Sequence, residues 1–86
     1  MKAYFHSRFE KRYKKFKESE KHKTKERILL FLHLPFDPIL NNHALKGRYL
    51  GYRSINITGD LRAIYCMIND DVAYFIAINT HSNLYL

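Results

Sequence analysis

The chain has 86 residues, a formal net charge of +7, one cysteine and no tryptophan. A chain this short builds one domain with a modest core, burying roughly two-thirds of the surface its unfolded form exposes, so residues 1–86 read as a single unit. Apolar runs such as Ile28 to Leu32 are far below the ~20 residues needed to cross a bilayer, and no apolar signal core opens the sequence, so no membrane association and a cytoplasmic protein are expected.

Cys66 has no partner for an intrachain disulfide and reads as core filler within an apolar strand pattern. The charge is unevenly placed. Between Lys2 and Arg27 stand eleven Lys/Arg against four Glu, whereas the remainder balances Lys46, Arg48, Arg53 and Arg62 against Asp37, Asp60, Asp70 and Asp71. A basic face of this density attracts phosphate backbones through counterion release, and equally attracts an acidic protein; the alternative is a solvated helix face.

In chain order, Lys2 to His6 alternates as a short strand, and Ser7 with Glu10 three residues later has the spacing of a reciprocal helix cap. Phe9, Tyr13 and Phe16 then fall at i, i+4 and i+7, which puts three aromatics on one helical face and the lysines on the other. A polar turn is expected around Ser19 to Lys23. A second helix follows, carrying Ile28, Leu29, Phe31, Leu32 and Leu34, and Pro35 with Pro38 stops it. The two helices are expected to form an antiparallel hairpin, and the loop from Pro35 to Asn42 is long enough to be mobile.

From Gly47 the period changes. Tyr49 to Ile57, Leu61 to Ile68 and Val72 to Ile78 are rich in β-branched and aromatic residues, and Thr58-Gly59-Asp60 and Asn69-Asp70-Asp71 separate them as turns. The expected architecture is α+β: an N-terminal strand, a two-helix antiparallel hairpin and a three-stranded antiparallel meander, with the helices packed on one face of the sheet.

The most distinctive residues lie in the last half: His43-x-Leu45-x-Gly47, the Tyr52-Arg53 pair, the Asp60 turn running into Ile64-Tyr65, and Thr80-His81-Ser82 with Leu84-Tyr85. In order and spacing these linked motifs resemble the RelE/ParE toxin superfamily, and within it the YafQ-like branch. The resemblance implies a microbial RNase fold, a metal-free and cofactor-free endoribonuclease that cleaves mRNA on the ribosome, and a cognate antitoxin protein that neutralises it. It implies catalytic roles for His43, Asp60, His81 and Tyr85. Arg62 resembles the arginine with which RelE-type members stabilise the transferred phosphate. Asn56 stands where the YafQ-like pattern has a histidine, and Leu61 where it has a tryptophan. The same scaffold also carries non-catalytic members, such as ParE-like inhibitors of DNA gyrase, which lack the histidine constellation.

Chemistry gives its own reasons for these residue types. RNA cleavage through the ribose 2′-OH needs a proton acceptor, a donor for the departing 5′ oxygen and a fixed positive charge near phosphorus. Histidine is the natural acid or base near neutrality, and arginine offers a permanent charge with a planar fork for phosphate oxygens. Asp60 shares strand parity with Arg62 and is open to three roles: orienting His81, acting as a base, or holding the arginine. Tyr85 suits proton donation or stacking on a base. Lys46, Arg53, Asn56 and the helical lysines Lys11, Lys14, Lys15 and Lys17 are expected to contact RNA. His6, His22 and His33 read as structural or solvated.

Overall fold

The first strand, β1 (Lys2–Phe5), hands the chain to α1 (Ser7–Lys14) through His6 in the computed structural model, which describes residues 1–84. The helix start is not the one the Ser7–Glu10 spacing suggests. His6 is the cap: its Nδ1 accepts the Arg8 N–H at 3.0 Å, and its carbonyl takes the Glu10 N–H at 3.1 Å. Residues 15–17 alone connect α1 to α2 (Glu18–His33), so the polar stretch expected as a turn is the opening of the second helix. The Glu20 carboxylate accepts the Lys17 N–H at 3.2 Å, and Glu18 and Glu20 set negative charge against the positive end of the helix dipole. At the other end the Leu34 N–H reaches the Leu30 carbonyl at 2.7 Å, and Pro35, with no N–H to give, ends the helix.

Hydrogen bonds anchor the loop that follows. The Asp37 carboxylate accepts the Ile39 N–H at 3.0 Å and starts a single 3-10 turn, Pro38–Leu40, whose Leu40 is fully buried. The Asn42 amide then donates to the Pro35 carbonyl and to the Tyr65 hydroxyl, both at 2.8 Å, while its oxygen accepts Arg53 Nε–H at 2.8 Å. One side chain thus ties the loop to the sheet.

A short strand, β2 (His43–Ala44), has no counterpart in the expected meander. The strand expected from Tyr49 is shorter than its composition suggests, because Gly47 at φ +63° and Gly51 at φ +91° turn the backbone left-handed before β3 (Arg53–Asn56) begins. β4 (Leu61–Asn69), β5 (Val72–Thr80) and the brief α3 (His81–Leu84) complete the described chain. The sheet has five strands in the order β1-β5-β4-β3-β2, with β1 parallel to β5 and the other neighbours antiparallel.

The helices cover one face, as expected. Phe9 is buried, with Tyr13 and Phe16 half-buried beside it, and Phe31 meets Tyr65 and Phe75 edge-on with ring centroids 4.7 and 5.3 Å away. The opposite face holds a second, smaller cluster of Leu45, Ile64 and Leu84, flanked by Tyr49, Tyr52, Ile76 and Ala77. Between Ile64 and Tyr65 the pairing with β5 slips by one residue. That bulge lets Phe75 and Ile78, three apart, both face the helices, where strict alternation would send Asn79 into the core. Cys66 pairs with Tyr74 on the face away from the helices and is half-buried, so it is not core filler.

Asn42→Ala should therefore destabilise the fold by about 1–3 kcal/mol, because it strands partly buried donors and acceptors on Tyr65, Arg53 and Pro35. Urea denaturation of the variant checks this; an unchanged midpoint would show that the loop holds itself.

Candidate active site at the end of the sheet

The turn between β3 and β4 is built from its own polar groups. The Thr58 hydroxyl accepts the Leu61 N–H at 3.0 Å and the Asp60 N–H at 3.3 Å, and Ile57 N–H donates to the Leu61 carbonyl at 2.9 Å. Arg62 then folds back over the turn. Its Nη1 donates to the Thr58 and Leu61 carbonyls, both at 3.0 Å, and its Nη2 to the Gly59 carbonyl at 3.1 Å. Of the five N–H donors on a guanidinium, two remain for other work. No carboxylate takes part: among the described residues Asp60 makes no ion pair with Arg62, so neutral carbonyls position the cation and leave its charge uncompensated.

The end of β5 meets this turn. The Asp60 carbonyl accepts the His81 N–H at 2.9 Å, so the link between these two residues runs through the backbone. Thr80 caps α3 by accepting the Asn83 N–H at 3.3 Å, which makes His81 the first helical residue and leaves it exposed. Asn79, paired with Arg62 across the strands, is the hub: its Oδ1 accepts Arg12 Nη2–H at 2.9 Å, the Thr80 N–H at 2.8 Å and Asn83 Nδ2–H at 3.2 Å. Arg12, which no motif singles out, reaches this point from α1 across 67 residues of sequence. Only the fold could reveal it.

His43 opens β2 and pairs with Ser54, which places it on the row Ser54, Ile64 and Ala77, on the face away from the helices. The next row on that face is Asn56, Arg62 and Asn79. The ring of His43 lies 2.8 Å from the Asn41 carbonyl through Nδ1, and Asn41 itself adopts a left-handed conformation at φ 44°. A carbonyl can only accept, so Nδ1 carries a proton, and the tautomer this contact selects has its lone pair on Nε2. Leu45 of the same motif is buried in the second cluster, and Gly47 takes the left-handed turn after it, so the spacing of His43 is set by structure on both sides.

The remaining candidates are scattered. Arg53 faces the helix side and is engaged by Asn42, with its guanidinium carbon 5.3 Å from the Phe36 ring. Lys46 is exposed at the start of the 3-10 turn Gly47–Tyr49, and Lys11, Lys14, Lys15 and Lys17 are exposed around α1 and its connection to α2. Tyr85 lies outside the described residues. The structure thus brings Asp60, Arg62 and His81 to one end of the sheet, adds Arg12 and Asn79, and by strand register sets His43 and Asn56 on the same side of the sheet as Arg62. Among the described residues no group of three or more His, Cys, Asp or Glu is placed to hold a metal ion, and no helix is long and apolar enough to cross a membrane.

The sequence matches over residues 1–86 the family model of YafQ, the bacterial toxin of type II toxin-antitoxin systems. The chain belongs to the YafQ family of toxins. Its fold is similar to that of YafQ from E. coli strain BL21(DE3), with a TM-score of 0.78 and 23% identity over 98% of this chain and 97% of that one. A YoeB/ParE toxin from Agrobacterium tumefaciens is 22% identical over 94% of this chain and 99% of its own, with a TM-score of 0.79. The E. coli DinJ-YafQ complex contains a chain 25% identical to this one, with coverages of 98% and 97% and a TM-score of 0.69. No curated protein matches the sequence. The N-terminal strand, two helices and sheet of this YafQ-family toxin are those of the RelE/YafQ toxin fold.

Proposed function

We propose that this YafQ-family toxin is an endoribonuclease that cleaves mRNA on the ribosome through attack of the ribose 2′-OH. The observation that supports the reading is Arg62, a guanidinium held by three backbone carbonyls and ion-paired with no carboxylate among the described residues, in the turn whose Asp60 carbonyl accepts the His81 N–H, with His43 on the same face. Such a cation is pre-positioned for charge that develops on phosphate oxygens in the transition state. His43 Nε2 takes the proton of the 2′-OH, and the 2′ oxygen bonds to phosphorus. The bond to the 5′ oxygen breaks, and His81 as imidazolium gives that oxygen its proton. The products are a 2′,3′-cyclic phosphate and a 5′-hydroxyl. In-line displacement needs base and acid on opposite sides of phosphorus, and the register sets His43 and His81 on opposite sides of the Arg62 strand. Asp60 serves as backbone support for His81, and Asn79 with Arg12 fixes the strand end below it. Arg53 we assign to holding the loop and not to RNA.

His81→Ala should abolish growth inhibition while the protein stays folded. Arg62→Lys keeps the charge but loses the planar fork, so single-turnover cleavage on programmed ribosomes should slow by roughly ten- to a hundredfold at ~1.4 kcal/mol per decade, with little change in ribosome affinity. Toxicity that survives His81→Ala at normal expression contradicts the assignment. So does inhibition of DNA gyrase supercoiling without any mRNA cleavage.

The partner side of the proposal rests on charge and on an open groove. Relatives are seen in the DinJ-YafQ and YoeB-YefM complexes, and we propose a cognate antitoxin for this chain too. A groove of about 810 Å³ lies among β1, α1 and α2, with Tyr4 and Leu29 exposed beside Lys14 and Lys25. An acidic segment with apolar side chains suits it. The exposed lysines of the same half dock on ribosomal RNA. Replacing Lys11, Lys14, Lys15 and Lys17 by Gln should weaken ribosome co-sedimentation, flatten its salt dependence and loosen antitoxin binding, since each phosphate contact adds to the salt slope. Equal co-sedimentation at every salt concentration would reduce these lysines to a solvated face.

A further inference from the structure

Two polar groups behind the β3–β4 turn have no partners. Arg27, half-buried on α2, makes no hydrogen bond or ion pair among the described residues, and its Nε is shut off from water. The Asn56 side chain is likewise unpartnered, with its Oδ1 shut off. A buried donor or acceptor left unmade costs about 1–3 kcal/mol, and more for a charged group, so two of them in one place mark a site built for something else. Both residues line one pocket of about 350 Å³, together with Lys23, Ile39, Thr58 and Gly59. Lys23 is only loosely paired, 3.5 Å from Glu26. Thr58 and Gly59 also supply carbonyls that hold Arg62, so the pocket and the proposed catalytic arginine adjoin the same turn.

The lining has the chemistry of a nucleotide. Two cations call for a phosphate, an amide with both a donor and an acceptor matches a base edge, and the exposed Ile39 offers an apolar surface for a base to lie on. The volume is at the small end of ligand pockets, on the scale of one nucleotide. We infer that this pocket is a specificity subsite that takes one nucleotide of the RNA strand next to the scissile bond, with Arg27 and Lys23 on its phosphate and Asn56 reading its base. Engaging them takes a rotamer change of the two side chains. The inference rests on the endoribonuclease reading for its location, and its test does not depend on cleavage.

The test is an NMR titration of the full chain with each nucleoside 5′-monophosphate and with inorganic phosphate, following the Asn56 side-chain amide and Arg27 Nε–H. Nucleotides should shift both resonances, bind more tightly than inorganic phosphate and differ among bases. Arg27→Lys, which keeps the charge and the fold but loses the Nε donor, should weaken them by roughly tenfold, the equivalent of ~1.4 kcal/mol. Asn56→Ala should keep binding but erase the differences among bases. Shifts by inorganic phosphate equal to those of every nucleotide, no shift at all, or a base preference that survives Asn56→Ala would each overturn the subsite. Nucleotide binding by a protein that cleaves no mRNA would leave the pocket standing and remove the nuclease; cleavage with an empty pocket would do the reverse.

Discussion

Arg62 closes the β3–β4 turn by donating to the Thr58, Gly59 and Leu61 carbonyls, and the end of the sheet depends on that closure. The turn presents the Asp60 carbonyl to the His81 N–H, which fixes where β5 stops and α3 begins. Asn79, across from Arg62, then gathers Arg12, Thr80 and Asn83. A guanidinium held by neutral dipoles is rigid without being neutralised. The same interaction that organises the turn leaves the guanidinium without a carboxylate partner among the described residues, and in the proposed reaction that charge would need little reorganisation to meet a phosphate.

Two small cores on opposite faces support this arrangement. The helix-side core holds the sheet against Phe9 and Phe31, while Leu84 packs with Leu45 and Ile64 on the other side, pinning α3 and with it the backbone after His81. The bulge in β5 is what allows both. It gives Ile76 and Ala77 to the open face and returns Ile78 to the helix side, so that Asn79 faces Arg62 where an unbroken alternation would bury it.

Much of this was legible in residue order. β-branched and aromatic composition between turn formers marked β4 and β5, and Phe9 and Tyr13 marked the inward face of α1, while Phe16 falls in the connection after that helix. The Thr80-His81-Ser82 motif has a local cause, since the threonine caps the helix that the histidine begins. Other features left weaker traces. β2 is two residues long and has no period to show, and the glycines that shorten β3 sit inside a run of strand-forming residues. The opening of α2 is polar because its first turn is solvent-facing, so only the Glu20 cap signals it. The bond from Arg53 to Asn42 has no local signature, and Arg12 and Arg27 become notable only when distant strands bring Asn79 and Asn56 to them. Contacts of long sequence separation carry no local signature.

The central claim is that this end of the sheet drives attack by a ribose 2′-OH. The most direct measurement uses programmed ribosomes carrying mRNA with a single 2′-deoxy nucleotide at the mapped cleavage position, beside an all-ribose control. The account predicts cleavage of the control to a 2′,3′-cyclic phosphate and none at the deoxy position. Cleavage of both at equal rates would contradict it.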